Sequence, residues 1–188
     1  NVTELPFNSD AYSVAHPALS ADEKFLYFSS NMPGTKGASD LFKVEIKSDG
    51  SFGTPINLGD DINTEARETF PFIAKDDILY FASDGHLGLG GLDVFASKIN
   101  SEGNNGKPVN IGSPINSNMD DFGYIIDTQS KIGFFTSNRT GGEGSDDIYK
   151  FKEIIKLQIE NIEAVAGVIM DEETNEVIPN TEVIIYND

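Results

Sequence analysis

The sequence lacks cysteine and tryptophan, and it is poor in basic residues, with 13 lysines and arginines against 31 acidic residues among 188. Without cysteine, the chain has no disulfide, no thiolate metal site and no cysteine nucleophile. The formal charge of -18 argues against nucleic acid and anionic membrane surfaces as partners, because both select clusters of lysine and arginine. No run of 18 apolar residues occurs, so the sequence predicts no direct membrane insertion.

The sequence does contain an internal repeat. Three units share an inner run, a second run rich in aromatic residues, a glycine-rich turn and an aspartate that starts a third run. The aromatic run and the aspartate are 12 positions apart in every unit, and successive aspartates are 53 and 54 positions apart. The positions that define the repeat are Pro17, Phe28, Asp40, Pro71, Phe81, Asp93, Phe135 and Asp147. Gly123 is aligned with Pro17 and Pro71, so we expect the third inner strand to differ locally.

The repeat predicts the fold class. Each unit holds about four short runs of β-forming residues between glycine, asparagine, aspartate and proline, which is typical of a β-propeller blade. We therefore predict an all-β chain, a partial β-propeller of about three four-stranded blades. Because a propeller ring closes with about four to eight blades, we expect further blades outside this sequence. Closure through another chain is the alternative.

The repeat stops after residue 151, and this change divides the chain. We predict that residues 1–151 form propeller blades, that residues 152–163 form a linker and that residues 164–188 begin a β-sandwich. Within the last segment, apolar runs at 164–170 and 181–186 flank a polar turn. Two strands are not stable alone in water, so we expect the chain to be a fragment of a longer protein.

The glycine-rich turns at residues 34–40, 85–93 and 141–147 are the first candidates for chemistry. A phosphate-binding loop requires a following helix, which the pattern does not predict. A calcium loop requires several oxygen ligands, and the acidic third turn keeps that alternative open. The favoured interpretation is a tight turn whose aspartate accepts hydrogen bonds from backbone N–H groups.

Other reactive side chains are few. His16 and His86 fall at different positions of the repeat, and no nucleophile motif is present. We predict no catalytic residue, no cofactor and no metal site. We expect the two arginines, Arg67 and Arg139, to pair with local carboxylates. The candidates are Glu65, Glu68 and Glu143.

The runs from His16 to Ser20 and from Leu26 to Ser30, followed by Asp40-Leu41-Phe42, resemble WD40-like PD40 repeats, the blades of TolB-type propellers. Residues 8–10, 79–85, 90–95 and 137–149 resemble more closely the propeller of Bacteroidetes OmpA-family envelope proteins, which include PorE-like components of the type IX secretion system. Residues 167–185 are similar to the start of a carboxypeptidase regulatory-like domain.

This resemblance implies a non-catalytic protein-binding scaffold in the periplasm, associated with the outer membrane and with a secretion or gliding machinery. Its partners would be envelope proteins, and peptidoglycan would be bound only through a domain outside this sequence. Two alternatives remain open, a glycan-binding module and a hydrolase of glycans or peptides. The first requires exposed aromatic rings on one face, and the second requires carboxylates in the propeller channel.

Overall fold

The computed structural model of the chain describes residues 3–159, 170–174 and 176–178. These residues contain eleven β-strands and no helix that could cross a bilayer, and the all-β prediction is confirmed. The strands form three antiparallel sheets in chain order. The first sheet contains β1 (Val14–Leu19), β2 (Phe25–Ser30), β3 (Asp40–Glu45) and β4 (Ile56–Asn57); the second contains β5 (Glu68–Ile73), β6 (Ile78–Ser83), β7 (Asp93–Lys98) and β8 (Val109–Asn110); the third contains β9 (Asp121–Asp127), β10 (Ile132–Ser137) and β11 (Asp147–Lys152).

In every sheet the second and third strands form a hairpin in continuous register. The same step of each hairpin holds a facing aromatic pair, with ring centroids 5.4–5.9 Å apart. The pairs are Phe28 with Phe42, Phe81 with Phe95, and Phe135 with Tyr149. Such pairs contribute about 0.5–1.5 kcal/mol beyond the area that they bury, so the repeat provides each hairpin with one stabilising cross-strand aromatic pair.

The sheets pack face to face through apolar cores. The core between the first and second sheets joins Tyr27 and Leu41 to Phe81. The core between the second and third sheets joins Tyr80 and Val94 to side chains of β9 and β10. A third core covers the other face of the first sheet with N-terminal residues. Because each fully buried leucine or phenylalanine contributes about 1.5–3 kcal/mol, these faces hold the sheets together.

The inner strands β1, β5 and β9 lie side by side, so the three sheets converge along one edge. Each inner strand is bulged at the same place relative to the second strand. The first bulge residue has a φ of 53° at His16, 49° at Phe70 and 63° at Gly123. Stacked sheets with converging first strands form a partial β-propeller, and the fold prediction is confirmed.

The bulges correct the alignment of the third repeat. Phe122 pairs with Thr136 in the third sheet, and Thr69 pairs with Ala82 at the equivalent step of the second sheet. Phe122 is therefore equivalent to Thr69, and Gly123 is equivalent to Phe70. Gly123 was predicted to stand where the prolines of the other two units stand, and that prediction was wrong by one position. Tyr124 takes the place of the prolines. The backbone conformation decides the alignment, because a positive φ suits glycine better than any other residue.

The third sheet has three strands among the described residues, whereas the first two sheets have four. In the described ranges that follow β11, no strand takes the place that β4 and β8 have in the earlier sheets. Instead, residues 153–159 have no regular secondary structure, and Leu157 and Ile159 pack against the core between the second and third sheets. Residues 160–163 of the predicted linker lie outside the described residues.

Most of the predicted β-sandwich segment, residues 164–188, also lies outside the described residues. Within the described part, Met170 and Val177 form an isolated antiparallel bridge. The Asp171 carboxylate accepts hydrogen bonds from the backbone N–H groups of Thr174 (2.8 Å) and Glu173 (3.0 Å). These bonds, with the Thr174 hydroxyl, lower the pKa of Asp171. Residues 172–174 of the predicted polar turn therefore form a turn.

Candidate functional site

The loops at one end of the three sheets form the candidate site. They are the β2–β3, β6–β7 and β10–β11 turns, residues 31–39, 84–92 and 138–146, with the segments that lead into β5 and β9, residues 59–67 and 112–120. We call this surface the rim. Hydrogen bonds from Ala38 N to Ala66 O (2.8 Å) and from Gly91 N to Met119 O (3.2 Å) join turns of one sheet to segments leading into the next.

The repeat aspartates lie at the base of the rim, each at the start of a third strand. Their carboxylates accept backbone N–H bonds from the preceding turns: Asp40 from Lys36 (2.8 Å) and Gly37 (3.2 Å), Asp93 from Leu89 (2.8 Å) and Gly90 (2.9 Å), and Asp147 from Gly144 (3.2 Å). These contacts agree with the tight-turn interpretation. In the described part of the chain, no group of three or more histidine, aspartate and glutamate side chains is placed to hold a metal ion.

Two asparagines form a second layer behind the aspartates. Asn63 accepts a hydrogen bond from Leu41 N (2.8 Å) and donates one to Leu41 O (3.0 Å). Asn116 makes the same two bonds, each 2.8 Å, with Val94. The side-chain amide of each asparagine thus pairs with the backbone of the third strand as a neighbouring strand would. It fixes the segment that leads into the next sheet.

The structure reveals that two carboxylates are buried, which the sequence interpretation did not predict. Glu68 and Asp121, the first residues of β5 and β9, are fully buried. Glu68 accepts hydrogen bonds from the Thr64 backbone (2.8 Å) and hydroxyl (2.7 Å), and Asp121 accepts the same bonds from Ser117 (2.6 and 2.8 Å). The signal that could have found them is a hydroxyl residue four positions before an acidic residue that opens an inner strand.

The arginines pair differently from what was predicted. Arg67 contacts Asp84 at 2.7 Å, and Arg139 contacts Asp121 at 2.6 Å. The predicted partners, Glu65, Glu68 and Glu143, were wrong. The sequence favoured near neighbours, whereas the strands bring together carboxylates that are 17 and 18 positions away.

Arg139 also caps an aromatic pair. Its guanidinium lies 4.9 Å from the Phe135 ring centre and 5.0 Å from that of Tyr149. His86 occupies the matching place in the second sheet, with its ring 5.1 Å from that of Phe95 and its Nε2 2.8 Å from the carbonyl oxygen of Ile62. Both side chains therefore cover the aromatic pair of their sheet at the rim.

A shallow cleft of about 310 Å³ lies along the inner strands, and Pro17, Pro71 and Tyr124 contribute to its lining. The His16 ring stacks on Phe70 at 3.8 Å, and Phe70 lies 4.9 Å from Phe122, so three rings form a line across β1, β5 and β9. No carboxylate is among the described residues that line this cleft. Burial lowers the pKa of His16 and raises that of Tyr124.

The remaining repeat residues, Phe28, Phe81 and Phe135, lie in the three apolar cores. They therefore belong to the cores that hold the sheets together and not to the surface of the rim. The two histidines are placed apart in the fold: His16 lies on an inner strand and His86 lies in the β6–β7 turn. The structure does not bring the predicted repeat residues together into one reactive cluster. It distributes them as one set per sheet.

No family model matches the chain, and no curated protein matches it. Among solved structures, the chain is similar to one assigned as a TolB from Agrobacterium tumefaciens, with 14% sequence identity and a TM-score of 0.49. The match covers 73% of this chain and 48% of that one, so the chain spans about half the length of that structure. This likeness assigns no function to the chain, and the fold is established by the three sheets themselves.

Proposed function

We propose that the chain is a non-catalytic protein-binding scaffold whose partners bind at the rim. The observation that carries this proposal is that the turns are fixed by buried groups: Asp40 and Asp93 bind backbone N–H groups, and Asn63 and Asn116 bind neighbouring strands. A fixed loop surface binds a partner with little loss of conformational entropy. Loops held on a rigid scaffold are a common location for binding.

The proposed location is the periplasm, in association with the outer membrane, as part of a secretion or gliding machinery. The resemblance of the repeat motifs to envelope propellers supports this proposal. The proposed partners are envelope proteins, and attachment to peptidoglycan would use a domain outside this sequence. The formal charge of -18 favours partners with basic surfaces.

The same site supports a hydrolase less well. Acid–base hydrolysis of a glycan requires two carboxyl groups beside the substrate. The inner-strand cleft has no carboxylate among its described lining residues. On the rim, the buried carboxylates of Glu68 and Asp121 accept bonds from neighbouring backbone and hydroxyl groups.

A glycan-binding module is the second candidate, and the ring line of His16, Phe70 and Phe122 favours it. Aromatic faces pack against the apolar faces of sugar rings, and two members of this line, His16 and Phe70, contribute to the lining of the inner-strand cleft. Titration calorimetry of the chain with a soluble peptidoglycan digest tests this candidate. Heat of binding that disappears in F70A and persists in Leu87→Ser would favour it over the scaffold.

The scaffold proposal is tested by crosslinking the full-length protein in intact cells and mapping the crosslinked peptides by mass spectrometry. We expect outer-membrane or secretion proteins joined to residues 31–39, 59–67, 84–92, 112–120 or 138–146. If no protein is captured by these residues, and the full-length protein crosslinks only through other domains, the proposal is wrong.

A further inference from the structure

The β6–β7 turn differs from the two equivalent turns of the rim because it exposes large apolar side chains. Leu87 is 95% exposed and Leu89 is 54% exposed. The β2–β3 and β10–β11 turns together contain one large apolar side chain, Met32, which is buried in the core of the first sheet. Among the three equivalent turns, therefore, only the second presents an apolar surface.

This turn is held in place along its backbone. Leu89 N and Gly90 N donate to Asp93, and Gly91 N donates to Met119 O at 3.2 Å. A side chain at Gly88 would overlap the Asp93 carboxylate, and one at Gly90 would overlap the backbone of Met119. Glycine is therefore required where the turn packs inward; Leu87 precedes Gly88, and Leu89 stands between Gly88 and Gly90.

The charges around the turn are mainly acidic. The rim contains three basic side chains apart from histidine, and each lies in an ion pair: Lys36 with Asp60 (3.1 Å), Arg67 with Asp84 (2.7 Å) and Arg139 with Asp121 (2.6 Å). Four further carboxylates of the rim are exposed, those of Asp61, Glu65, Glu143 and Asp146. The leucines therefore project from a rim in which acidic side chains outnumber basic ones.

We propose that Leu87 and Leu89 anchor the partner at the rim, and that the partner is a protein segment with an apolar strip bordered by lysine and arginine. This inference rests on the proposed function. Burial of the two leucines against an apolar strip favours binding, and the fixed turn avoids most of the cost of ordering. The acidic surround selects a basic border and excludes an acidic one.

The test uses two synthetic helical peptides of about 18 residues, or five turns. One combines lysine with leucine on a single face, and the other replaces every leucine with serine at the same charge. Each is titrated at physiological salt into the isotope-labelled chain and followed by NMR. We expect the leucine peptide to shift the amide signals of residues 85–92 and to bind at least about tenfold more weakly to L87S/L89S.

The matched control is I154S/I155S, which removes two isoleucines that are 87% and 84% exposed outside the rim. We expect this variant to bind the leucine peptide as the unchanged chain does. Equal weakening in both double variants, no weakening in L87S/L89S, or equally tight binding of the serine peptide would overturn the inference. Circular dichroism spectra of both variants verify that the sheets are retained.

The same L87S/L89S change in the full-length protein separates this inference from the proposed function. We expect it to abolish crosslinks from the rim to a partner peptide that carries apolar and basic residues. If envelope proteins crosslink to the rim equally with and without the leucines, the scaffold proposal stands and the anchor is wrong. If no envelope protein crosslinks to the unchanged rim, the proposed function fails, and the peptide titration still decides whether the leucines form a binding surface.

Discussion

The second and third sheets are built from the same repeat, yet their outward faces differ in burial. Val94, in the second sheet, is 1% exposed, whereas Ile148, at the same step of the third sheet, is 76% exposed. Tyr80 and Phe134 also occupy equivalent positions and show the same contrast, because the third sheet packs on Tyr80 whereas Phe134 is exposed. The repeat thus provides an apolar side chain at both of these equivalent positions. Whether that side chain contributes to stability depends on whether a neighbouring sheet covers it.

The largest expected effect compares a buried position of one aromatic run with an exposed position of another. We expect F81A to lower the free energy of unfolding by about 3–5 kcal/mol, because Phe81 is fully buried between two sheets and its loss leaves a cavity. F134A, at an exposed position of β10, should cost about 1 kcal/mol or less. Urea unfolding followed by circular dichroism measures both. Similar losses in the two variants would contradict the stacked arrangement.

The second prediction compares two repeat aspartates. We expect D93A to cost about 2–3 kcal/mol, because it leaves two backbone N–H groups of the β6–β7 turn without their acceptor. D147A should cost less, since Asp147 is only partly buried and binds one backbone N–H group, that of Gly144. Urea unfolding also ranks these variants. If D147A is the more destabilising of the two, the turns are not held as described.

The third prediction compares Val94 with Ile148, which occupy equivalent positions on the outward faces of the second and third sheets. We expect V94A to cost about 1.5–2 kcal/mol for two lost methyl groups in a packed core. I148A removes more carbon atoms but should change stability by less than about 0.5 kcal/mol, because Ile148 is exposed. A thermal unfolding series of both single variants and the double variant measures the difference. A larger loss in I148A would show that its face is covered in solution.

The smallest expected effect is a dependence on pH at the inner strands. Burial lowers the pKa of His16, so the folded state favours the neutral imidazole. This contribution is complete above the pKa of the unfolded chain and is lost as pH falls through it toward the folded pKa. H16Q keeps a hydrogen-bonding group near Thr69 but does not titrate in this range.

We therefore expect the melting temperature of the unchanged chain to fall relative to that of H16Q between pH 7.5 and pH 5. Thermal unfolding of both proteins in the same buffers measures this difference and removes the shared titration of the carboxylates. A difference that stays constant, or that moves in favour of the unchanged chain at low pH, would contradict the burial of His16.

The sequence was sufficient to predict the strands of each unit because the repeat encodes each hairpin locally. The 12-position spacing places Phe81 opposite its partner and Asp93 beneath its turn without any information from the other sheets. The bulge at Gly123 was misaligned, since it depends on backbone torsion and not on side-chain pattern. The pairing of Arg139 with Asp121 was missed because it is made by strands that meet only in the folded sheet.

The sequence also did not predict which side chains of the rim are buried and which are exposed. The alternation of leucine and glycine at residues 87–90 is visible in the sequence, but it does not show which positions face inward. That distinction requires the approach of Met119 and of the Asp93 carboxylate to the turn, which involves three separate segments. Sequence spacing therefore locates the turns, and only the packing identifies the side chains that the rim presents.

The most direct test of the rim as the binding surface is site-specific photo-crosslinking in intact cells. A photoreactive amino acid replaces either Leu87 on the rim or Ile125, a residue of the inner-strand cleft that is also exposed. We predict protein adducts from position 87, on envelope proteins whose crosslinked segment is apolar with a basic border, and none from position 125. Protein adducts from position 125 alone would contradict a binding site on the rim.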